Sequence, residues 1–591
     1  MTLLPITPSS HFPIISEAWS ATYYVDATNG NDANVGTSSA TPWKSIKKVL
    51  NWNYRPGDEI LFKRGESWFG CLDFNRPGTP DKPIKIGAYG TGQRPIIRAK
   101  GPISGFNALK NWTKLEGSPY SVFYMDCPDR PGRLWLSGIE YPKAQSLSDI
   151  NSGARWWWGD VDGKMRLVVY SASNPALTYT SIEGLQTFER AVRIQYPAAY
   201  IVLENLDLRG GRYQVLCLQG ASYVTIQDCY IGRDSIAGVE MNGNPWGEFQ
   251  ESNYGILRNC VIDSGYHFMT SFDSTYVRDG VFLYDGANYW EVYGNTIRDW
   301  HHNGITLQGY DGRFTNGASF NKVHNNTIRA ENTAYCRGIT TQGIEGKCQY
   351  NQIYGNLIKN TTVRNQINGN NNSVYYNVID TVTNSPFSSS GSGTNGTAQG
   401  IDLQGYKPFV CHDNKILNNV IYNCDEAGLR LRDEYGPNPK RNNSVINNIV
   451  MNCGKKSKDG LMNYGIVIDS GSSVESNTFR NNCVYSGGVQ NTIYYRGSAL
   501  TVSQFNATNG QNGDVMMNNL GSDPIFSGID QGMFLLQKNS PCIDASIDVG
   551  LQEDYRGLPV PVGSRVDIGA FEYSPSSFPP PSPPRNLRII K

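Results

Sequence analysis

The chain has no excess of charge in either direction: 52 Lys and Arg balance 52 Asp and Glu over 591 residues. That balance gives no electrostatic reason to expect a nucleic acid or a membrane surface as partner. Charge of both signs is sparse, at 18%. No apolar run reaches the roughly 18 residues that a membrane-spanning helix needs. The cysteines, 12 in all, include no C-x-x-C pair, and their spacing describes no zinc site. Between Tyr196 and Asn519 no amphipathic run of helical period occurs, which argues against helical repeats. What the chain has in quantity is Gly, at 62, and Tyr, at 35, the composition of a corner-rich β protein with an aromatic surface.

A two-part phrase recurs. Its first part reads DCYI at Asp228, NCVI at Asn259, NTIR at Asn295 and Asn326, NLIK at Asn356, NVID at Asn377, NVIY at Asn419 and NIVM at Asn448. Its second part is a short period-two strand led by glycine: GVEMN from Gly238, GVFLY from Gly280, GITLQ from Gly304, GITTQ from Gly338, GIDLQ from Gly400, GLRLR from Gly428 and GIVID from Gly465. Repeats of this kind mark a solenoid. Short β-branched strands between Gly and Asn corners predict strands stacked in parallel about 4.8 Å apart, with Val, Ile and Leu inward. Parallel connections prefer the right hand. The fold class expected is therefore all-β, a right-handed parallel β-helix, whose corner asparagines bond to the backbone and to one another. Cys229 with Cys260, and Cys424 with Cys453, hold equivalent places in neighbouring repeats and predict stacked buried thiols, with cross-rung disulfides as the alternative. Cys336 and Cys348 flank one strand and its loop, a more favourable setting for a disulfide.

The chain divides as follows. Residues 1–21 read either as a signal-like leader or as a disordered one. Residues 22–100 hold an N-terminal cap and the first rungs, with SIKKVLNW from Ser45 as the cap helix. Residues 101–195 break the repeat as a small β-rich insertion, in which Trp156, Trp157 and Trp158 either stack on sugar or wedge the insertion onto the solenoid. The β-helix occupies 196–522, its C-terminal end 523–574, and a Pro-rich linker or tail 575–591, leading toward a further module or surface anchor. The opening TYYVDATNGND and the closing phrases SPCIDA from Ser540 and VDIGAFEY from Val566 resemble secreted bacterial right-handed parallel β-helix repeat proteins of the polysaccharide lyase or glycoside hydrolase type. The resemblance implies a secreted, extracellular or cell-surface protein with a polysaccharide or glycan as partner, and leaves the chemistry open.

In each glycine-led strand, Thr341 apart, the first and third residues after Gly are apolar and are expected inward, so the second and fourth point out. One outward column is Glu240, Phe282, Thr306, Thr340, Asp402, Arg430 and Val467; the other is Asn242, Tyr284, Gln308, Gln342, Gln404, Arg432 and Asp469. Amides, rings, carboxylates and two arginines suit a carbohydrate groove, against the plainer reading of a solvated strand face. Asp402 is expected exposed and ion-paired with Arg430 on the next rung, with Asp433 and Glu434 on the following corner. Asp402, Glu434, Asp433 and Arg430 are thus the candidate catalytic set, since a glycoside hydrolase needs two carboxyls about 5 to 9.5 Å apart; a structural Asp–Arg ladder is the equal alternative. A lyase would use Arg430 and Arg432 against a uronate, with Lys407, His302 or Tyr284 as base. The local motifs of alginate- and chondroitin-cleaving β-helix lyases are not matched. Candidate substrate contacts are Glu240, Tyr284, His301, His302, Gln308, Gln342, Gln404, Lys407, Arg432 and Asp469; Asp279, Asn303 and Arg337 share one edge of the strip. No cofactor is required. Asp285, Asp311 and Glu345, on successive corners, are weak calcium candidates, and the His301–His302 pair lacks a third metal ligand.

The function expected is cleavage of glycosidic bonds in a polysaccharide, in a groove from Glu240 to Asp469, by hydrolysis in preference to β-elimination on a uronic-acid polymer. A non-catalytic carbohydrate-binding or adhesion protein is the rival from another class, and the fold alone does not choose.

Overall fold

The computed structural model describes residues 20–575 apart from 129, 132, 186–189, 212–213, 233–236, 245–249, 264–278, 301, 332–335, 385–397, 406–407, 433–439, 457–462, 472–473, 490–491 and 530–532. Each full rung passes through three short strands. The first sheet, of 14 strands, runs from Thr22–Val25 to Val515–Met517; the second, of 12, from Ser67–Phe69 to Cys483–Tyr485; the third, of 13, from Leu72–Phe74 to Ser498–Leu500. Glu291–Tyr293, Thr296–Arg298 and Asn303–Gly309 pair in parallel and in register with Lys322–His324, Thr327–Arg329 and Arg337–Gly343 of the next rung. The chain is a right-handed parallel β-helix whose inward Val, Ile and Leu form one continuous core.

The corners explain why asparagine recurs. Between the first and second sheets, Asn295, Asn326, Asn356, Asn377, Asn419, Asn448, Asn482 and Asn519 form a buried ladder. Asn356 is typical: its Oδ1 accepts from the backbone N and Nδ2 of Asn326 at 3.1 and 3.0 Å, and its Nδ2 donates to Val323 O and Asn377 Oδ1, both at 2.9 Å. Every polar atom of the amide is matched, as burial requires. A second ladder, between the third and first sheets, runs through Asn321, Asn351, Asn372, Asn414, Asn443 and Asn477 to Asp514. The repeat motif placed Asp228 and Asn259 in the first ladder; they instead adopt φ of 55° and 54° on the residue before it, where a short polar side chain tolerates the left-handed conformation. Cys229 and Cys260 take the ladder positions.

Apolar ends are covered. Helix Ile46–Leu50, capped by Ser45 accepting from Lys48 N, buries Ile46 and Val49 at the N-terminal end. Helix Val502–Ala507, with a Thr501/Gln504 capping box, buries Val502 and Phe505 at the other, Phe505 lying edge-on to Phe479 and Tyr495. Antiparallel strands from Lys100–Pro102 to Ile182–Leu185 form the insertion, whereas Val192–Gln195 already pairs within the third sheet. Trp156 is buried in the insertion's own core, and the indole N–H groups of Trp156 and Trp158 donate to Tyr141 O and Cys127 O at 2.7 and 2.8 Å. Cys336 and Cys348 remain thiols, contrary to the expected disulfide. They sit beyond opposite ends of the strand Arg337–Gly343, which spans about 20 Å, far more than a disulfide bridges. Among the described residues no helix is long and apolar enough to cross a membrane.

The segment after the last rung folds back along the outside of the solenoid, where Phe526, Phe534, Leu536, Ile568 and Phe571 pack on Tyr376, Val378, Val420 and Ile449. It carries a buried acidic cluster. Burial, reinforced by the charges of Asp544 and Asp554, pushes the Asp567 carboxyl up to about 6. Burial, with Asp567 and Asp554 as neighbours, pushes Glu572 up to about 7. Arg556 is paired with Asp554, and Tyr376 faces the same cluster. A carboxyl whose folded value is raised contributes stability below its unfolded value of about 4 and loses it as pH rises through the folded value. We expect amides of Ile568 and Tyr573 to exchange more slowly at pH 5 than at pH 8 once intrinsic rates are corrected; equal or greater protection at pH 8 would contradict this.

Candidate functional site

The inward residues of the glycine-led strands are where the alternation puts them: Val239, Met241, Val281, Leu283, Ile305, Leu307, Ile401, Leu403, Leu429 and Leu431 are all buried. The outward columns are less open than alternation implies. Thr306, Thr340, Asp402, Gln404, Arg430, Arg432 and Val467 are buried as well, leaving Glu240, Asn242, Phe282, Tyr284, Gln308, Gln342 and Asp469 at intermediate exposure.

Asp402 therefore departs from expectation. It is 0% exposed, its carboxylate lies 3.1 Å from Arg364 Nε and 3.6 Å from Arg432 Nη1, and Arg430, though its register neighbour, turns to Asp469 at 2.9 Å. Arg364 comes from a rung without the leading glycine, Asn365–Ile367, which the repeat motif does not reveal. A carboxylate sealed between guanidinium groups is out of reach of a sugar, so Asp402 pairs structurally with Arg364 and Arg432, and the expected Asp402–Arg430 pair is replaced by Arg430 with Asp469. Asp433, Glu434, Lys407 and His301 lie outside the described residues. The three calcium candidates are each engaged elsewhere: Asp285 accepts the Tyr310 and Asp311 amides, Asp311 pairs with Arg313, and Glu345 with His412. Among the described residues no group of three His, Cys, Asp or Glu side chains gathers to hold a metal.

The constellation with chemical content lies on the rungs of Glu240, Asp279 and His302. Glu240 is half-buried; its Oε2 accepts from Gln214 Nε2, which is itself fixed by Arg190, and its Oε1 from Asn242 Nδ2 at 2.6 Å. Burial pushes its carboxyl above the ordinary value, outweighing Gln214, Arg190 and Asn242, and the charge of Asp279 adds to the rise. Asp279, 1% exposed, accepts from His302 Nδ1 at 2.8 Å, Asn303 N at 3.0 Å and Thr306 Oγ1 at 2.6 Å. Asn303 is braced in turn by Thr340 Oγ1 at 2.9 Å. An Nδ1–H donated to that carboxylate leaves Nε2 as acceptor, 3.5 Å from Arg337 Nη1; Asn303 Nδ2 also stands 2.8 Å from Nδ1, and the side chain is 22% exposed. Register carries Glu240 through Phe282 to Thr306, two rung steps or about 10 Å, so the Asp279 carboxylate faces the same short stretch of strip. A proton donor and an oriented proton acceptor on one face are the components of general acid–base chemistry. In the sequence Glu240 and His302 stand out as substrate contacts, His302 also as a base for elimination, and Asp279, Asn303 and Arg337 as one edge of the strip. Thr306 and Thr340 appeared only as strip residues, and nothing in their spacing indicated that they would fix the dyad.

Residues 279–518 match a family model described as right handed beta helix region. An 88-residue stretch, 14% of this chain, is 39% identical to a lacto-N-biosidase of Bifidobacterium longum subsp. longum and spans 5% of that protein's length. Among solved structures, the GH136 lacto-N-biosidase from Eubacterium ramulus is 14% identical with a TM-score of 0.40, over 85% of this chain and 67% of that one. A pectate lyase is 15% identical with a TM-score of 0.42, over 94% and 97% of the two chains. The strand register makes the fold a right-handed parallel β-helix, and the family model matches residues 279–518 of it.

Proposed function

We propose that this β-helix hydrolyses glycosidic bonds of a polysaccharide on its glycine-led face, with Glu240 as general acid and His302, oriented by Asp279, as general base. One observation carries the reading: a carboxyl raised by burial stands on the same face as a histidine hydrogen-bonded through Nδ1 to a buried aspartate. In the reaction Glu240 gives its proton to the glycosidic oxygen as the bond to the anomeric carbon breaks. Nε2 of His302 takes a proton from the water that attacks that carbon. An acid that protonates the leaving oxygen and a base that activates water on the other side of the sugar would give single displacement with inversion. Asp279 is too deeply buried to attack a sugar and serves to position the histidine. The stretch shared with a lacto-N-biosidase supports a carbohydrate substrate. An enzyme acting on such a polymer would work outside the cell.

Arg337 beside His302 Nε2 favours a second reading, β-elimination on a uronic-acid polymer, with Arg337 neutralising the uronate and His302 removing the C5 proton. Product masses separate the two. Incubation with neutral and uronic-acid polysaccharides is expected to give fragments carrying one added water per cleavage. Unsaturated fragments without added water would establish elimination, and absence of any product from all of them would remove both.

The base role has its own check. His302→Gln keeps a hydrogen-bonding side chain but loses the titrating nitrogen, and is expected to lower kcat about a hundredfold with little change in KM. Loss confined to KM would make His302 a binding residue.

A further inference from the structure

We propose that Tyr310 and Tyr284, with Gln308 and Gln342, form a subsite for an uncharged pyranose ring next to Glu240; the proposal rests on the glycosidase reading above. Tyr310 is 45% exposed, yet its loop is pinned. Asp285, 1% exposed, holds the Tyr310 and Asp311 amides at 2.8 and 3.0 Å through a single carboxylate oxygen, while its other oxygen is buried without a hydrogen-bond partner. Phe314 on the same loop is buried against Gly243 and Gly286, where an added Cβ would come within 2.2 and 2.9 Å of its ring. Lys347 ties the loop down by donating to Phe314 O and to Thr315 O. An exposed aromatic side chain fixed this firmly is preorganised for contact, because little ordering cost remains to be met on binding.

The ring does not stand alone. Tyr284 Oη donates to Tyr310 Oη at 2.5 Å, and Phe282 lies 5.1 Å from Tyr284, ring centre to ring centre. Phe282 is the register neighbour of Glu240, so the aromatic surface runs up to the proposed acid. On the other side Gln308 donates to Gln342 at 3.1 Å, setting two amides in line beside Tyr284. Aromatic faces and bidentate amides match the apolar face and the hydroxyls of a sugar. Arg313 is held by Asp311 and Lys347 by the loop carbonyls, so the groups left to meet a sugar are the tyrosine rings and the glutamine amides, which suit an uncharged ring.

The test uses the full chain carrying Glu240→Gln, so that ligand binds without turnover, and titrates neutral and uronic-acid oligosaccharides by calorimetry. Adding Tyr310→Ala is expected to weaken neutral-oligosaccharide binding at least about tenfold, and adding Tyr310→Phe by less, with melting temperatures unchanged. Equal affinity of the Tyr310→Ala and parent proteins would overturn the subsite while leaving the glycosidase reading in place. Uronic-acid oligomers bound as tightly as neutral ones would overturn the assigned sugar class. A parent that binds no oligosaccharide would remove the function on which the subsite rests.

Discussion

Glu240→Gln is expected to lower kcat about a thousandfold, with KM and melting temperature nearly unchanged. The substitution keeps the shape and one oxygen to accept from Gln214 Nε2, needs Asn242 to turn its amide oxygen toward the new NH2, and removes the proton assigned to the leaving group. Because burial raises the Glu240 carboxyl, the parent enzyme should lose activity on the alkaline side as that proton is lost, at a pH above the ordinary glutamate value. The residual activity of the variant should lack this limb. A variant with wild-type kcat, or one whose pH profile keeps the same alkaline limb, would place the acid elsewhere.

The second large effect concerns stability. Asn356→Ala is expected to cost about 4 kcal/mol, because it strands several buried polar groups at once. The Asn326 amide and side chain lose their acceptor, and Val323 O and Asn377 Oδ1 lose their donor. A control isolates the ladder from the corner. Asn442 is exposed with φ of 56°, so Asn442→Ala forfeits only the tolerance of Asn for that conformation, about 1 kcal/mol. Urea denaturation of the two variants should separate them clearly. Similar midpoints would mean that the ladder amides contribute no more than ordinary corner residues.

The fold was legible because a solenoid repeats its physics: inward apolar pairs after each glycine, and asparagine wherever the corner needs a matched buried amide. The second ladder was legible in principle, since Asn321 and Asn326, Asn351 and Asn356, Asn372 and Asn377, Asn414 and Asn419, Asn443 and Asn448, and Asn477 and Asn482 all share one spacing. It was missed because the motif followed one asparagine per rung, although NKVH, NQIY, NSVY, NKIL and NSVI at Asn321, Asn351, Asn372, Asn414 and Asn443 carry the same Asn-x-Val/Ile pattern. The glycine-free rung at Asn365 was hidden for a similar reason. There an inward asparagine replaces the usual apolar residue, its Oδ1 taking Ile339 N at 2.9 Å and its Nδ2 donating to Gly400 O at 2.8 Å.

That omission misdirected the site. Without Arg364, Asp402 looked like an exposed acid beside one arginine; with it, Asp402 is a sealed carboxylate among several. Alternation reports which way a side chain points from its strand, not whether anything covers it, so burial of the outward column was beyond the reach of the pattern. Glu240 and His302 were visible as candidates, whereas the hydrogen bonds that join His302 to Asp279, and Asp279 to Thr306, exist only once the rungs are stacked.

The most direct measurement is a crystal structure of the Glu240→Gln protein soaked with a neutral oligosaccharide. The account predicts sugar rings lying along Tyr310 and Tyr284, with a glycosidic oxygen within hydrogen-bonding distance of residue 240 and the anomeric carbon on the side of His302 Nε2. A ligand seated instead over Asp402 and Arg430, or on another face of the solenoid, would contradict it.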